Sequence, residues 1–184
     1  MRLSEPRIDP LEPDQWSEEA AAVMAPIVEA GPPLNIFKTL AHHPGLMRRW
    51  MVFANHVLAK STLPAREREL VILRIGYLCQ SGYEWGQHVV IARAAGLVDD
   101  EIRRIQVGSE DPAWSDLDRA LLAATEQLHA DSFIGDGTWA ALTDHLSTEQ
   151  IMDVVFAVGQ YNLVSMALNS LGVQPEDGLP GWDV

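Results

Sequence analysis

The chain has 184 residues, of which 13 are Lys or Arg and 26 are Asp or Glu, so its formal net charge is −13. This balance argues against a nucleic-acid-binding protein and against a polybasic membrane anchor, because both need clustered cationic side chains. Hydrophobic residues make up 47% of the chain, which is the opposite of an acidic disordered protein and is enough to fill the core of one domain.

Cys79 is the single cysteine. A disulfide within the chain, a C-x-x-C redox pair and a multi-cysteine zinc site are therefore excluded. Residues 1–16 lack the apolar segment of a signal peptide, so we predict a cytoplasmic location. The most apolar stretch, Ile151–Val173, is interrupted by polar residues such as Asp153 and Gln160, and it predicts a buried helix rather than a membrane span.

Glycines, prolines and capping residues divide the chain into helical segments. Residues 1–13 contain three prolines and no hydrophobic period, and they predict an extended arm before one domain over residues 14–184. The predicted helices are, in chain order, Asp14–Glu29, Leu34–His42, Leu46–Lys60, Ala65–Gln80, Tyr83–Ala95, Asp99–Val107, Ser115–Ala130, Asp136–His145 and Ser147–Leu171. The residues from Gly172 onward predict a surface tail. We therefore expect a single all-α domain of eight or nine helices.

Prolines mark several predicted boundaries. Pro26 is expected to bend or end the first helix, and Pro44 to stop the second. Pro64 suits the first position of the fourth helix. That helix contains β-branched residues, but its length and its charged opening, Arg66–Glu69, favour a helix over a strand.

Glu84 and His88 are four residues apart on the fifth predicted helix and so share a face. A carboxylate one turn from an imidazole fixes the tautomer of the ring and makes the ring more basic, which suits a general base. The same spacing is also typical of an ordinary pair on a helix surface, so spacing alone leaves both interpretations open.

Glu69 lies on an apolar stripe of the fourth predicted helix. A carboxylate in such a place is costly unless it is paired or used in chemistry. A salt bridge to Arg66 or Arg68 is the structural alternative to a catalytic role. A metal at Glu84 and His88 would need Glu69 as its third ligand, and the chain has no glycine-rich phosphate or dinucleotide motif. We therefore expect no metal and no cofactor.

Gly76 and Gly86 lie inside predicted helices, where a glycine costs about 1 kcal/mol relative to alanine. They predict points where another helix, or a ligand, approaches closely. Cys79 lies about 80° around its helix from Glu69. An isolated cysteine is most often a buried apolar residue, so we expect Cys79 to be dispensable.

The centre of the chain resembles the carboxymuconolactone decarboxylase family, which includes the alkylhydroperoxidase D-like (AhpD-like) proteins. The resemblance covers about residues 35–102 and is carried by three stretches, Glu67–Arg74, Tyr83–His88 and Ala92–Leu97. The long last helix, with Gln160-Tyr161-Asn162, also looks like the closing helix of the family. The resemblance implies an all-α fold and a homo-oligomer, often a trimer or hexamer, with sites near subunit contacts.

The peroxidase branch of that family carries the pattern E-x11-C-x2-C-x3-H, and on this chain its Glu and His positions fall on Glu69 and His88. Its two cysteine positions hold Ser81 and Glu84, and Cys79 matches neither of them. A peroxide-reducing cycle needs a low-pKa thiolate and a resolving thiol. The residues that remain are closer to the decarboxylase branch, which is cofactor-free and uses acid/base groups.

The family pattern places Glu69 opposite Glu84 and His88 across the Ser81-Gly82 turn. Two carboxylates near one imidazole repel each other, so one of them is expected to stay protonated near neutral pH and to serve as an acid. The catalytic cluster predicted from the sequence is therefore Glu69, Glu84 and His88.

Three functions remain open. The first, which we favour, is a cofactor-free acid/base enzyme of the decarboxylase, isomerase or hydrolase type that acts on a small carbonyl or lactone acid. The second is a thiol peroxidase or disulfide reductase that uses Cys79 with an external thiol. The third is a non-catalytic oligomeric binding protein. A carboxylated substrate would need a local cation to offset the net charge, and Arg74, Arg48 or a residue of a neighbouring subunit could supply it.

Overall fold

The structure, a computed structural model, describes residues 2–184. Over that range it contains nine α-helices and no β-strand, so the predicted all-α fold is confirmed. The helices are α1 (Glu18–Ala30), α2 (Asn35–Leu40), α3 (Pro44–Asn55), α4 (Ala65–Leu78), α5 (Gly82–Ala94), α6 (Asp99–Val107), α7 (Asp116–Asp131), α8 (Asp136–Thr143) and α9 (Thr148–Leu171). A 3₁₀ turn, Pro13–Gln15, precedes α1, and a π-helical turn, His56–Lys60, follows α3.

The prolines differ in part from their predicted roles. Pro26 lies inside α1 and does not end it, because Pro26 is exposed and water can satisfy the carbonyl that loses its helical partner. Pro44 begins α3 rather than only stopping α2, since the first turn of a helix needs no N–H from that residue. The predicted helix over 46–60 is therefore two pieces, α3 and the π-helical turn.

Helix α4 lies at the centre of the molecule and packs against α5, α6, α7 and α9. Residues Glu69–Gly76 are all buried, so the helix is enclosed on every side over two turns. A second, smaller cluster of buried side chains, including Tyr83, Val164 and Leu168, lies under α2 and α3. The candidate site described below lies between the main core and this smaller cluster.

The connection between α4 and α5 is a tight turn. Gln80 adopts a left-handed conformation with φ of 54°, and the Ser81 N–H donates to the Gly76 carbonyl at 2.9 Å. This is the hydrogen-bond pattern that ends many helices. It lets α5 fold back along α4, so that side chains from the two helices meet.

Helix α9 is long and apolar enough to span a membrane by length and composition alone, and it is the one helix of residues 2–184 for which this holds. Half of its most apolar window is buried in the fold. Its inner face contacts α4, α5 and α7 and includes the polar residues Gln160 and Ser165. This burial is what a core helix shows, as the interrupting polar residues indicated.

The two chain ends pack onto the helices. In the arm, the Arg7 N–H donates to the Leu171 carbonyl at the end of α9, at 2.9 Å. In the tail, the Gly181 carbonyl accepts a hydrogen bond from the Trp85 indole at 2.8 Å, and Trp182 packs on the Trp85 ring with a centroid distance of 5.2 Å. The tail is therefore part of the core rather than only surface. Gly86 provides the space, because a Cβ there would lie 2.9 Å from a tail carbonyl.

Candidate active site

Glu69 on α4 and His88 on α5 form a buried pair. The Glu69 Oε2 accepts a hydrogen bond from the His88 Nδ1 at 2.6 Å, and the Glu69 Oε1 accepts one from the Arg68 Nε at 3.1 Å. Glu69 is fully buried and His88 is 7% exposed. A buried carboxylate needs such partners, since its charge is costly away from water. Glu69 therefore has both the salt bridge and the histidine contact that the sequence offered as alternatives.

This geometry sets the tautomer of His88. An ionised carboxylate can only accept, so Nδ1 carries the proton and Nε2 presents its lone pair. Nε2 has no hydrogen-bond partner among residues 2–184. The Tyr161 ring of α9 meets the imidazole edge-on at a centroid distance of 4.7 Å, which holds the plane of the ring. The result is an oriented imidazole with its basic nitrogen available.

Glu84 does not form the expected hydrogen bond with His88. Its Oε2 accepts instead from the Ser165 Oγ of α9 at 2.8 Å, and its Oε1 has no hydrogen-bond partner in the described part of the chain. Glu84 is 2% exposed, so it is not a surface pair with His88 either. Helical spacing places the two side chains on one face, but the packing of α9 supplies Glu84 with a nearer partner.

Burial raises the pKa of Glu84 well above its usual range, and the hydrogen bond from Ser165 opposes that shift only in part. Burial therefore favours the protonated form of Glu84 relative to an exposed glutamate. The sequence predicted that one carboxyl of the cluster would stay protonated through repulsion by Glu69. The physical cause in the structure is burial away from water rather than a like charge.

Gly76 makes room for Glu84. A Cβ at position 76 would lie 2.9 Å from the Glu84 Oε1, which is closer than real Cβ atoms approach an oxygen. The glycine inside α4 is thus explained by the close approach of a side chain from α5.

A cavity of about 270 Å³ lies beside Glu84 and His88. Side chains from α2, α3, α5 and α9 surround it, and most are apolar. The lining residues are Leu34, Ile36, Phe37, Trp50, Met51, Ala54, Asn55, Leu58, Tyr83, Glu84, Gln87, His88, Ile91, Gln160, Tyr161, Val164 and Leu168. Volume and lining are those of a small-molecule pocket in which a few polar groups converge.

No Lys or Arg of the described chain lines this cavity. Arg74 instead contacts the Glu126 carboxylate at 2.8 Å, and Arg48 pairs with Glu19 on the surface. The two arginines suggested as carboxylate-binding residues are therefore engaged elsewhere in the fold.

Several residues of the site were not predicted as functional. Ser165 and Tyr161 come from α9, and the polar residues on this apolar helix were the signal that could have indicated them. Glu176 comes from the tail and accepts hydrogen bonds from the Tyr83 hydroxyl at 3.0 Å and the Gln87 amide at 2.6 Å. It also accepts from the Asn35 N–H at 2.6 Å. The tail thus ties α2 to α5 at the rim of the cavity.

Cys79 lies outside the residues that line the cavity. Its thiol donates to the Asn162 Oδ1 at 3.1 Å, and 9% of the residue is exposed. Burial, and next the charge of Glu84, raise the pKa of the thiol to about 11. The thiolate needed for redox chemistry is therefore strongly disfavoured at neutral pH.

No group of three or more His, Cys, Asp or Glu side chains within residues 2–184 is arranged to hold a metal ion. Glu69, Glu84 and His88 therefore do not act as one set of metal ligands. His88 contacts Glu69, whereas Glu84 contacts Ser165.

The family model for carboxymuconolactone decarboxylases matches residues 44–127, which include the whole α4–α5 pair that carries Glu69 and His88. Residues 44–127, just under half of the chain, are thus similar to the carboxymuconolactone decarboxylase family. The matched range begins later and ends later than the resemblance over residues 35–102, but it contains the same signature helices.

Several solved structures share the all-α fold of this chain. The AhpD core of a peroxidase-related protein from Ralstonia eutropha is 21% identical, with a TM-score of 0.81 over 94% of this chain and 93% of the other. A protein of unknown function from Agrobacterium tumefaciens, proposed to be the antioxidant defence protein AhpD, is 24% identical, with a TM-score of 0.68 over 74% of this chain and 94% of the other. A debrominase in complex with 2,3,4-tribromopyrrole is 12% identical, with a TM-score of 0.77 over 95% of this chain and 94% of the other. No curated protein matches the chain.

In this chain, the two positions that match the cysteines of the peroxidase pattern hold buried oxygen-bearing side chains. Ser81 is fully buried, and its Oγ, like the Glu84 Oε1, has no hydrogen-bond partner among the described residues. The positions that carry thiols in the peroxidase branch are thus a hydroxyl and a carboxyl in this chain.

Proposed function

We propose that this protein is an acid/base enzyme that transfers a proton next to the carbonyl group of a small ketone or lactone, with His88 as the base. The observation that carries the proposal is the 2.6 Å contact between Glu69 and the His88 Nδ1 beside the cavity. A positioned base whose orientation is held by a carboxylate is the usual arrangement for general base catalysis.

The residues take distinct roles. The His88 Nε2 accepts a proton from the carbon next to the carbonyl, and the electron pair of that C–H bond moves onto the carbonyl oxygen. Glu69, with its charge offset by Arg68, stabilises the imidazolium that forms. The imidazolium then returns its proton to carbon. This proton transfer is a step shared by isomerases and by lyases that form an enolate.

Glu84 is the acid in this proposal. A carboxyl that burial keeps neutral can donate a hydrogen bond to a carbonyl oxygen as negative charge develops there. Glu84 lines the same cavity as His88, and burial raises its pKa, which favours the protonated form. The absence of a cationic side chain in the lining of one chain favours an uncharged substrate over a carboxylate.

The thiol route remains the alternative to test, because the similar structures include a peroxidase-related protein and a debrominase. The raised pKa of Cys79 disfavours it. A binding protein without catalytic activity is the third possibility, since the same cavity could serve it.

Deuterium exchange tests the proposal. In D₂O, the protein should accelerate loss of the α-proton signal of 2-butanone or γ-butyrolactone, followed by proton NMR. His88→Ala should reduce the rate by a factor of about 10²–10⁴, and Glu69→Gln should do nearly as much. Cys79→Ser should stay within about threefold of the parent protein, as a residue outside the cavity should. Circular dichroism and light scattering on each variant check that the fold and the mass are retained.

Two results would contradict the proposal. Exchange no faster than in buffer alone would favour the binding protein. Peroxide consumption that disappears in Cys79→Ser would favour the thiol peroxidase.

A further inference from the structure

A second cavity, of about 170 Å³, adjoins the one that holds Glu84 and His88. It lies between α2, α3 and α9. The two cavities share four lining residues, which are Ile36, Trp50, Val164 and Leu168. We call it the apolar chamber. It is lined by those four together with Thr39, Leu40, Leu46, Ala167, Leu163, Leu171 and Val173.

The apolar chamber differs chemically from the catalytic cavity. The polar atoms among its lining side chains belong to Thr39 and to the Trp50 indole. No charged side chain of the described residues lines it. An apolar cavity of about 150 Å³ is large enough to bind benzene. The chamber therefore matches a hydrocarbon group of about six carbons in size.

Trp50 stands in the wall that the two cavities share, and its indole N–H is buried without a hydrogen-bond partner in the described chain. A buried donor without an acceptor is costly, and buried tryptophan N–H groups usually have one. The N–H is enclosed by the packing of the protein, so Trp50 borders the two cavities with its ring and not with its donor.

We propose that the substrate is an uncharged carbonyl compound with an apolar tail of about six carbons, and that the tail lies in the apolar chamber while the carbonyl group lies beside His88. Two observations select this ligand. Among the described residues the lining of both cavities lacks a cation, and the chamber adjoins the site along shared side chains. The inference rests on the proposed function only in placing the carbonyl group beside His88.

A series of methyl ketones tests the chamber without any need for turnover. The dissociation constants of 2-butanone, 2-hexanone, 2-octanone and 2-decanone are measured by NMR titration of the indole N–H signals, with Trp50→Phe used to assign the Trp50 signal. Each buried CH₂ should tighten binding about fourfold, until the chamber is full and the affinity levels off. The Trp50 signal should shift as the ligand packs against its ring, which lines both cavities.

Ala167→Phe fills the chamber from α9, because Ala167 lines the chamber and not the catalytic cavity. In this variant 2-octanone should bind no more tightly than 2-butanone. Leu46→Trp provides a second, independent block from α3, at a side chain that is 50% exposed and so tolerates change. Ala140→Phe, the same exchange on the exposed side of α8, is the matched control and should keep the full dependence on chain length.

Three outcomes would overturn the inference. Affinity that does not depend on chain length shows that no tail enters the chamber. Dependence that persists in both blocking variants places the tail elsewhere. A change of oligomeric mass in Ala167→Phe, together with binding that is independent of chain length, assigns the chamber to a contact between subunits.

The two proposals fail separately. Chain-length dependence with no α-proton exchange for any ketone leaves the inference standing and contradicts the acid/base function. Exchange without chain-length dependence of binding contradicts the inference and leaves the acid/base function standing.

Discussion

Glu84 is a buried carboxyl, and this couples its titration to stability. Burial raises its pKa above the usual value of 4.5, so between pH 4.5 and the native pKa the folded chain holds a proton that the unfolded chain has released. The free energy of unfolding therefore falls as the pH rises through this window, by at most about 1.4 kcal/mol per pH unit for one group. The stabilisation is fully present below pH 4.5 and is lost above the native pKa.

Glu84→Gln should remove this pH dependence, because the amide does not titrate. Urea unfolding at pH 5, 6.5 and 8 measures it, and the stability of the variant relative to the parent should improve as the pH rises. Glu29→Gln, at an exposed position of α1, is the control and should leave the pH profile unchanged. Parallel profiles for parent and Glu84→Gln would show that Glu84 is ionised throughout.

Cys79 should react slowly with alkylating reagents. With a pKa of about 11, about one thiol in a thousand is ionised at pH 8, and the thiolate is the reactive form. The rate of iodoacetamide modification, followed by mass spectrometry, should be far below that of the urea-unfolded chain and should rise with pH up to about 11. Labelling of the folded protein at pH 7 as fast as that of the unfolded chain would contradict the raised pKa.

At the scale of helices, Gly76 sets the distance between α4 and α5. Gly76→Ala should displace the Glu84 side chain, since the new Cβ would lie 2.9 Å from its Oε1. Overpacking of this kind lowers the free energy of unfolding by about 1–3 kcal/mol, and the higher helix propensity of alanine offsets about 1 kcal/mol of that loss. We expect unchanged or lower stability together with loss of α-proton exchange.

Gly137→Ala in α8 is the matched control, because nothing lies within 4 Å of a Cβ at that position. This variant should leave α-proton exchange unchanged and should gain stability from the higher helix propensity of alanine. If both alanine variants are stabilised equally and both retain exchange, the contact between Gly76 and Glu84 has no effect on stability or activity.

At the scale of the whole molecule, α9 exposes an apolar stripe whose members are four, seven and three residues apart. Met152, Phe156, Leu163 and Met166 are each more than half exposed, and they follow the seam pattern of packed helices. The Phe156 ring meets Phe53 of α3 at a centroid distance of 6.0 Å. Apolar surface of this extent is unusual on a monomer, so we propose that the protein assembles into a homo-oligomer through α9 and α3.

Light scattering coupled to gel filtration should give a mass that is a multiple of 20.3 kDa. Phe156→Lys places a charge in the middle of the stripe and should reduce the mass, while Val107→Lys, at the end of α6 and 61% exposed, should not. A parent protein that runs as a monomer at micromolar concentration would contradict this proposal.

Local sequence was enough to predict most of the helices and the resemblance of the centre of the chain to the carboxymuconolactone decarboxylase family. Helix starts and stops depend on local caps, prolines and glycines within a few residues, so the predicted and observed boundaries of α6 agree and those of α5 differ by about one residue. The match of Glu69 and His88 to the family pattern also identified two residues that the fold brings to 2.6 Å. That pairing crosses a short turn between neighbouring helices and is close in the chain.

The partner of Glu84, the cavity and the role of the tail could be identified only from the tertiary structure. Ser165 is 81 residues from Glu84 in the chain, and Glu176 is 93 residues from Tyr83. Such contacts depend on how α9 and the tail pack against α5, and helical spacing carries no information about that packing. For the same reason spacing predicted a bond between Glu84 and His88 that does not form. Burial, which raises the pKa of Glu84, is a property of the assembled core and not of any local segment.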